Sequence, residues 1–186
     1  MFYEIFSLLL EFVVGLVAGA CLLRLYMQYL RIPLSVRSGN PLAAFVFALT
    51  NWIVLPLRRF LPAVGPLDTA SLVAAFVLEV GQFLLLWLSA GAGASLGSIP
   101  VLAFFGVARL ALSAMTGLVL IYALLSWVPA RSPMSDVIER LVSPALTPIR
   151  RALPLLGGID VSPLVLLLVL QVMGIVLGHL QAWALL

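Results

Sequence analysis

Pro56-Leu57-Arg58-Arg59-Phe60-Leu61-Pro62-Ala63-Val64-Gly65-Pro66-Leu67-Asp68 returns further along the chain as Pro148-Ile149-Arg150-Arg151-Ala152-Leu153-Pro154-Leu155-Leu156-Gly157-Gly158-Ile159-Asp160. The two stretches align without a gap at an offset of 92 positions, and the same offset pairs Pro41 with Pro133, Leu49 with Leu141, Leu72 with Leu164, Val77 with Val169 and Glu79 with Gln171. A match of that length predicts a duplicated module: a first unit over residues 1–92 and a second over 93–186.

The surroundings of the repeat decide the class. Hydrophobic residues make up 64% of the 186-residue chain and charged residues 9%, with a mean hydropathy of +1.24. Globular domains carry about a quarter charged residues, so the expectation is an all-α integral membrane protein. The formal charge of +3 comes with ten arginines and no lysine. Most of the arginines fall between Arg24 and Arg59 and between Arg131 and Arg151. That is a topology signal, and no nucleic-acid partner is expected. The single cysteine, Cys21, lies in an apolar run and excludes an internal disulfide or a Cys-x-x-Cys pair. Ala18-Gly19-Ala20-Cys21 has the look of a cleavage box, but the start offers Glu4 and Glu11 where a signal needs basic residues. A retained helix is expected.

Four spans are expected, at about 5–30, 70–90, 100–127 and 163–182, each near the ~20 residues a bilayer core requires. Gly15 with Gly19, Ser113 with Gly117, and Gly174 with Gly178 are small-residue pairs that would let helices approach closely. Arg24 and Arg31 are expected to snorkel from the end of the first span. The apolar middle of the first connecting segment, Leu42 to Leu55, reads as too short to cross, is interrupted by Thr50 and Asn51, and is bounded by Pro33, Pro41, Pro56, Pro62 and Pro66. It is expected to be interfacial or re-entrant, as is its counterpart between Arg131 and Asp160, punctuated by Pro133, Pro144, Pro148 and Pro154. Because both connecting segments hold the arginines, they are assigned to the cytoplasm and both termini to the other side. Two spans per module make the repeats parallel, not inverted.

The doubled Pro-x-Arg-Arg-x-x-Pro-x-x-Gly-x-x-Asp motif, followed each time by a span and preceded in the first copy by Arg24-Leu25-Tyr26-Met27-Gln28, resembles the YggT family over nearly the whole chain. The resemblance implies a small bacterial inner-membrane protein associated with osmotic tolerance and potassium uptake. Related plastid proteins include a factor for covalent haem attachment to cytochrome b6, and others are linked to division. Tyr122 to Ser126 lacks the Arg-x-Tyr-x-Gln pattern, and Gln171 replaces Glu79, so roles resting on those residues would belong to one module.

Arg58, Arg59, Arg150 and Arg151 are expected to fix topology among anionic headgroups or to bind a lipid phosphate or a partner carboxylate. Asp68 and Asp160 are expected to cap the helices that follow or to bridge back to the arginines. Glu79 lies eleven positions past Asp68, a rise of ~16 Å that brings it near mid-bilayer. Arg109 reaches a similar depth, so a Glu79–Arg109 pair is expected, with Gln82 one turn away. His179 reads as interfacial. No phosphate loop, nucleophile elbow or zinc signature is present, so no enzyme activity, cofactor or metal is expected. The leading expectation is a non-enzymatic inner-membrane protein that contributes to osmotic or ion homeostasis, or organises a membrane complex, as a homo-oligomer or with a membrane-protein partner. An assembly factor for a cytochrome or a division complex, and an oligomeric channel or transporter lined by Glu79, Gln82 and Arg109, are the alternatives.

Overall fold

The computed structural model describes residues 2–34, 40–63, 65, 67–89, 96–127, 132–152 and 160–185. Six α-helices account for nearly all of them: α1 (Phe2–Tyr29), α2 (Pro41–Arg58), α3 (Thr69–Ser89), α4 (Ile99–Ser126), α5 (Pro133–Ala152) and α6 (Ser162–Ala184). Five helical segments, α1, α2, α3, Leu96–Ser126 and α6, are long and apolar enough to cross a membrane. This is one more than the four expected.

The extra one is α2. Pro56 does not end it, as the sequence reading assumed, but lies inside its last turn, and the helix continues to Arg58. A proline there removes only its own bond to the carbonyl four residues back, and Arg59 and Phe60 close the end by bonding Pro56 O and Leu57 O. Pro144 and Pro148 likewise lie within α5. The helix starts obey the chemistry of their sequences. Asn40 Oδ1 accepts from the Leu42 amide at 3.0 Å ahead of Pro41, and Ser132 and Ser135 exchange side-chain-to-amide bonds ahead of α5. The end of α1 is less usual: Arg31 takes a φ of 54°, which lets the Ile32 amide reach back to Met27 O at 2.9 Å.

α1 packs most extensively on α3, and α4 on α6, while α3 and α1 both meet α4 and so join the two halves. The seam between α1 and α3 is rich in alanines. Ala18, Ala70, Ala74 and Ala75 have no exposed surface and pack with Val14, Cys21 and Leu22, so that short side chains bring α1 against α3. The glycine pairs do something different. A Cβ on Gly15, Gly117, Gly174 or Gly178 would meet nothing within 4 Å, and Gly15, Gly19 and Gly117 instead line an apolar groove of about 830 Å³ between α1 and α4. The expected close approach at those glycines is therefore absent within the chain.

α5 carries a strict stripe, Ile138, Leu141, Val142 and Leu146, buried against Met27, Val119, Leu166 and Leu170, with Glu139 and Arg140 exposed on its other face. Tyr26 Oη ties α1 to this helix through Leu141 O at 2.8 Å. Replacing the fully buried Leu141 by Ala should lower unfolding stability in mixed micelles by about 2–5 kcal/mol. Leu168→Ala, at a site 66% exposed, should change it by much less, and equal effects would contradict the packing.

Candidate functional site

Where α1 ends, α2 ends and α3 begins, seven polar side chains meet in an apolar surround. Arg24 is only 2% exposed; its Nη1 donates to Thr50 Oγ1 at 2.7 Å and to Asn51 Oδ1 at 2.9 Å, and its guanidinium lies 5.0 Å from the centre of the Phe47 ring. Its Nε has no hydrogen-bond partner but stands 3.8 Å from Asp68 Oδ2. Asp68, also 2% exposed, accepts from Arg58 Nη2 and Nε and from Ser71 Oγ at 2.7 Å. With its amide oriented to satisfy both neighbours, Gln28 donates to Asp68 Oδ2 at 2.8 Å and accepts from Arg58 Nη2 at 2.9 Å. Arg24 therefore does not snorkel. Thr50 and Asn51, read from sequence as an interruption, are its partners, and Arg24 and Gln28 of the quoted Arg-x-Tyr-x-Gln stretch both face Asp68.

Burial alone would raise the Asp68 carboxyl, but the hydrogen bonds from Arg58 and Ser71 and the charges of Arg58 and Arg24 outweigh it and hold the group below the usual carboxylate range. The second half has a thinner version. Arg150 Nε donates to Asp160 Oδ2 at 2.9 Å, Arg150 Nη2 donates to Tyr122 Oη at 2.7 Å, and Asp160 Oδ1 accepts from the Ser162 amide at 2.9 Å. Burial opposes ionisation of Asp160 too, but the Ser162 and Arg150 contacts prevail and lower its pKa. For Arg150, burial works against the charge, and the bonds to Tyr122 and Asp160 more than restore it, raising its pKa. This pair is 35% and 32% exposed. Arg59 and Arg151 are exposed on the surface.

A second polar locus lies between α1, α3 and α4 and opens at the surface. Glu11, Gly15, Glu79, Gln82, Phe83, Gly106, Arg109, Leu110 and Ser113 surround a cavity of about 140 Å³. Glu79 and Arg109 share it, but no salt bridge between them is found among the described residues. Arg109 Nη2 donates instead to Gln181 Oε1 at 2.6 Å, on α6, a partner that helical depth alone did not reveal. Glu79 packs against bare backbone: a Cβ at Gly106 would overlap Glu79 Oε2, with Glu79 Cδ at 3.0 Å and Phe83 Cε2 at 3.3 Å. His179 is exposed, with Nδ1 2.9 Å from Ile175 O. Among the described residues no three His, Cys, Asp or Glu side chains gather as a metal site.

Asp68→Asn leaves two arginines without their carboxylate and should cost about 3–5 kcal/mol, read as lost folded protein in membranes. Asp160→Asn, at an exposed pair, should cost about 0–1 kcal/mol. The depressed Asp68 group stabilises fully above the ordinary carboxylate pKa of about 3.9, and that contribution disappears as pH falls through the lower folded value. Thermal stability of the wild type should thus hold from pH 7 to about pH 4 and then drop, with the acid limb shallower in Asp68→Asn. Gly106→Ala should force Glu79 or α4 aside and lower stability by about 1–3 kcal/mol, whereas Gly117→Ala, which meets open space, should not.

A family model described as CCB3/YggT matches residues 3–89 and 101–181. An uncharacterized protein YggT of Escherichia coli strain K12 is 38% identical over 177 residues, covering 89% of this chain and 85% of its own length. An uncharacterized protein in the proC 3' region of Vibrio alginolyticus is 40% identical over 146 residues, covering 76% and 78%, and one from Haemophilus influenzae is 31% identical over 166 residues, covering 88% and 86%. No solved structure matches. The motif-bearing ion pairs, the apolar helices that carry them and these similarities agree, and the chain belongs to the CCB3/YggT family.

Proposed function

We propose that this chain is a non-enzymatic, multi-pass protein of the bacterial inner membrane that holds copies of itself or membrane partners side by side, and through them contributes to osmotic or ion homeostasis or to the organisation of a membrane complex. The observation that carries this reading is a division of labour between charge and apolar surface. Arg24, Arg58 and Arg150 are occupied in holding helices of the same chain to one another. The apolar groove between α1 and α4 stays uncovered, and so do Leu164, Leu168, Ile175 and Leu180 along α6. Surfaces of that kind suit lateral packing of helices in lipid.

The architecture that fits is two tandem modules, 1–92 and 93–186, with α1, α3, α4 and α6 crossing and α2 and α5 lying at one membrane face. For α2 the support is mechanical. Asn40 Nδ2, ahead of its first residue, donates to Pro33 O at 3.0 Å, while Arg58 at its other end meets Gln28. Both ends of α2 are thus tied near the end of α1, which suits a helix running across the membrane normal. For α5 the support is its amphipathic stripe. The arginine-rich segments then share one side, which the positive-inside preference makes cytoplasmic, among anionic headgroups, with both termini periplasmic.

Crosslinking in native membranes followed by mass spectrometry should recover a self-association or a stable membrane partner, and a deletion strain should grow poorly under hyperosmotic stress. Loss of a haem-containing complex with normal salt tolerance would favour an assembly factor instead. Single cysteines at positions 59 and 151 in a Cys21→Ser background should be blocked by a reagent only when it reaches the cytoplasm, and a cysteine at 185 should be blocked from outside. Labelling of 59 and 151 from opposite sides would overturn the parallel arrangement.

A further inference from the structure

The cavity between α1, α3 and α4 plays no part in the lateral-assembly reading, and its composition is unusual for a membrane interior. Glu79 is 6% exposed and Gln82 is 8% exposed; both line the cavity, and among the described residues neither side chain has a hydrogen-bond partner. Both side chains are buried as a whole while their polar ends open on the cavity, and in a membrane interior such ends call for a polar or charged occupant. Glu11 and Ser113 bring further oxygens to the wall.

The charges state what kind of ligand fits. Two carboxyl groups, Glu11 and Glu79, and one guanidinium, Arg109, are the ionisable groups facing the space from the three helices, so that with both carboxyls ionised one negative charge is left over. Arg109 is held by Gln181 on α6. A net charge at membrane depth is costly, and one positive charge removes it. Oxygens from carboxylates, an amide and a hydroxyl suit hard cations, and a single leftover charge is matched by a monovalent one. A space of about 140 Å³ has room for such an ion with a few waters, each of which occupies about 30 Å³ in the liquid.

We propose that this cavity binds one small monovalent metal cation, with Glu79 as its principal ligand, Glu11 supplying the second charge, and Gln82 and Ser113 the neutral oxygens. The missing Cβ of Gly106 is part of the site, because only a glycine there leaves space for the Glu79 carboxylate. The proposal goes beyond lateral assembly and does not depend on it.

The test uses the full chain in nanodiscs at constant ionic strength, with sodium, potassium or N-methyl-D-glucamine chloride as the varied salt. Dicyclohexylcarbodiimide, which reacts with protonated carboxyls in apolar surroundings, reports on Glu79 by peptide mass spectrometry. Sodium or potassium at ten times its dissociation constant should slow Glu79 labelling about tenfold relative to N-methyl-D-glucamine, which is too bulky to enter. In Glu11→Gln, altered at an exposed position, the cation concentration giving half protection should rise at least about tenfold, since one of the two attracting charges is gone. Ser113→Ala should raise it less. Equal protection by all three salts, no protection by any, protection by acidification alone, or an unchanged half-point in Glu11→Gln would each overturn the cation site. Because the wild-type protection measurement needs no variant, a folding failure in either mutant leaves it decisive.

Discussion

The buried Asp68 carboxylate is the constraint on which the first half depends. An aspartate 2% exposed in an apolar protein is tolerable only while it remains surrounded by cations and donors, and here they come from three helices: Arg24 and Gln28 on α1, Arg58 on α2 and Ser71 on α3. A single charge thereby dictates where three helix ends must be. The same fixed ends hold the alanine seam of α1 against α3. The network is also unforgiving, since removal of any one member leaves others buried and unmatched.

The duplicated stretch made much of this legible. Two arginine–aspartate pairs, each separated by ten positions, can be anticipated from a motif that repeats both residues at one offset, and hydropathy marks the apolar helices. Arg24 was misread because snorkelling is the default for an arginine near a span end, and the counter-evidence, Thr50-Asn51 inside an apolar run, makes sense only when α2 folds back across α1. Pro56, Pro144 and Pro148 were read as boundaries although they fall within helices. Proline removes one amide and does not by itself stop a helix whose end is otherwise secured.

The intramembrane residues show where a sequence stops being informative. Depth along a helix follows from counting, and it brought Glu79, Gln82 and Arg109 to one cavity. Azimuth does not follow from counting. Whether Arg109 turns to Glu79 or to Gln181 is decided by the rotation of α4 between α3 and α6, which depends on packing around Gly106 and Phe83. Gly106 itself is one glycine among fourteen in the chain, and only the position of the carboxylate distinguishes it.

The two halves of the molecule share a plan but differ in dryness. Asp160 is 32% exposed and answers to Arg150, Tyr122 and one amide, while its counterpart is sealed. Solvent reaches both members of the Arg150–Asp160 pair, whereas at the first pair it reaches Arg58 but not the Asp68 carboxylate. The second ion pair is therefore open to screening by dissolved salt, which weakens it more than the buried contacts of Asp68.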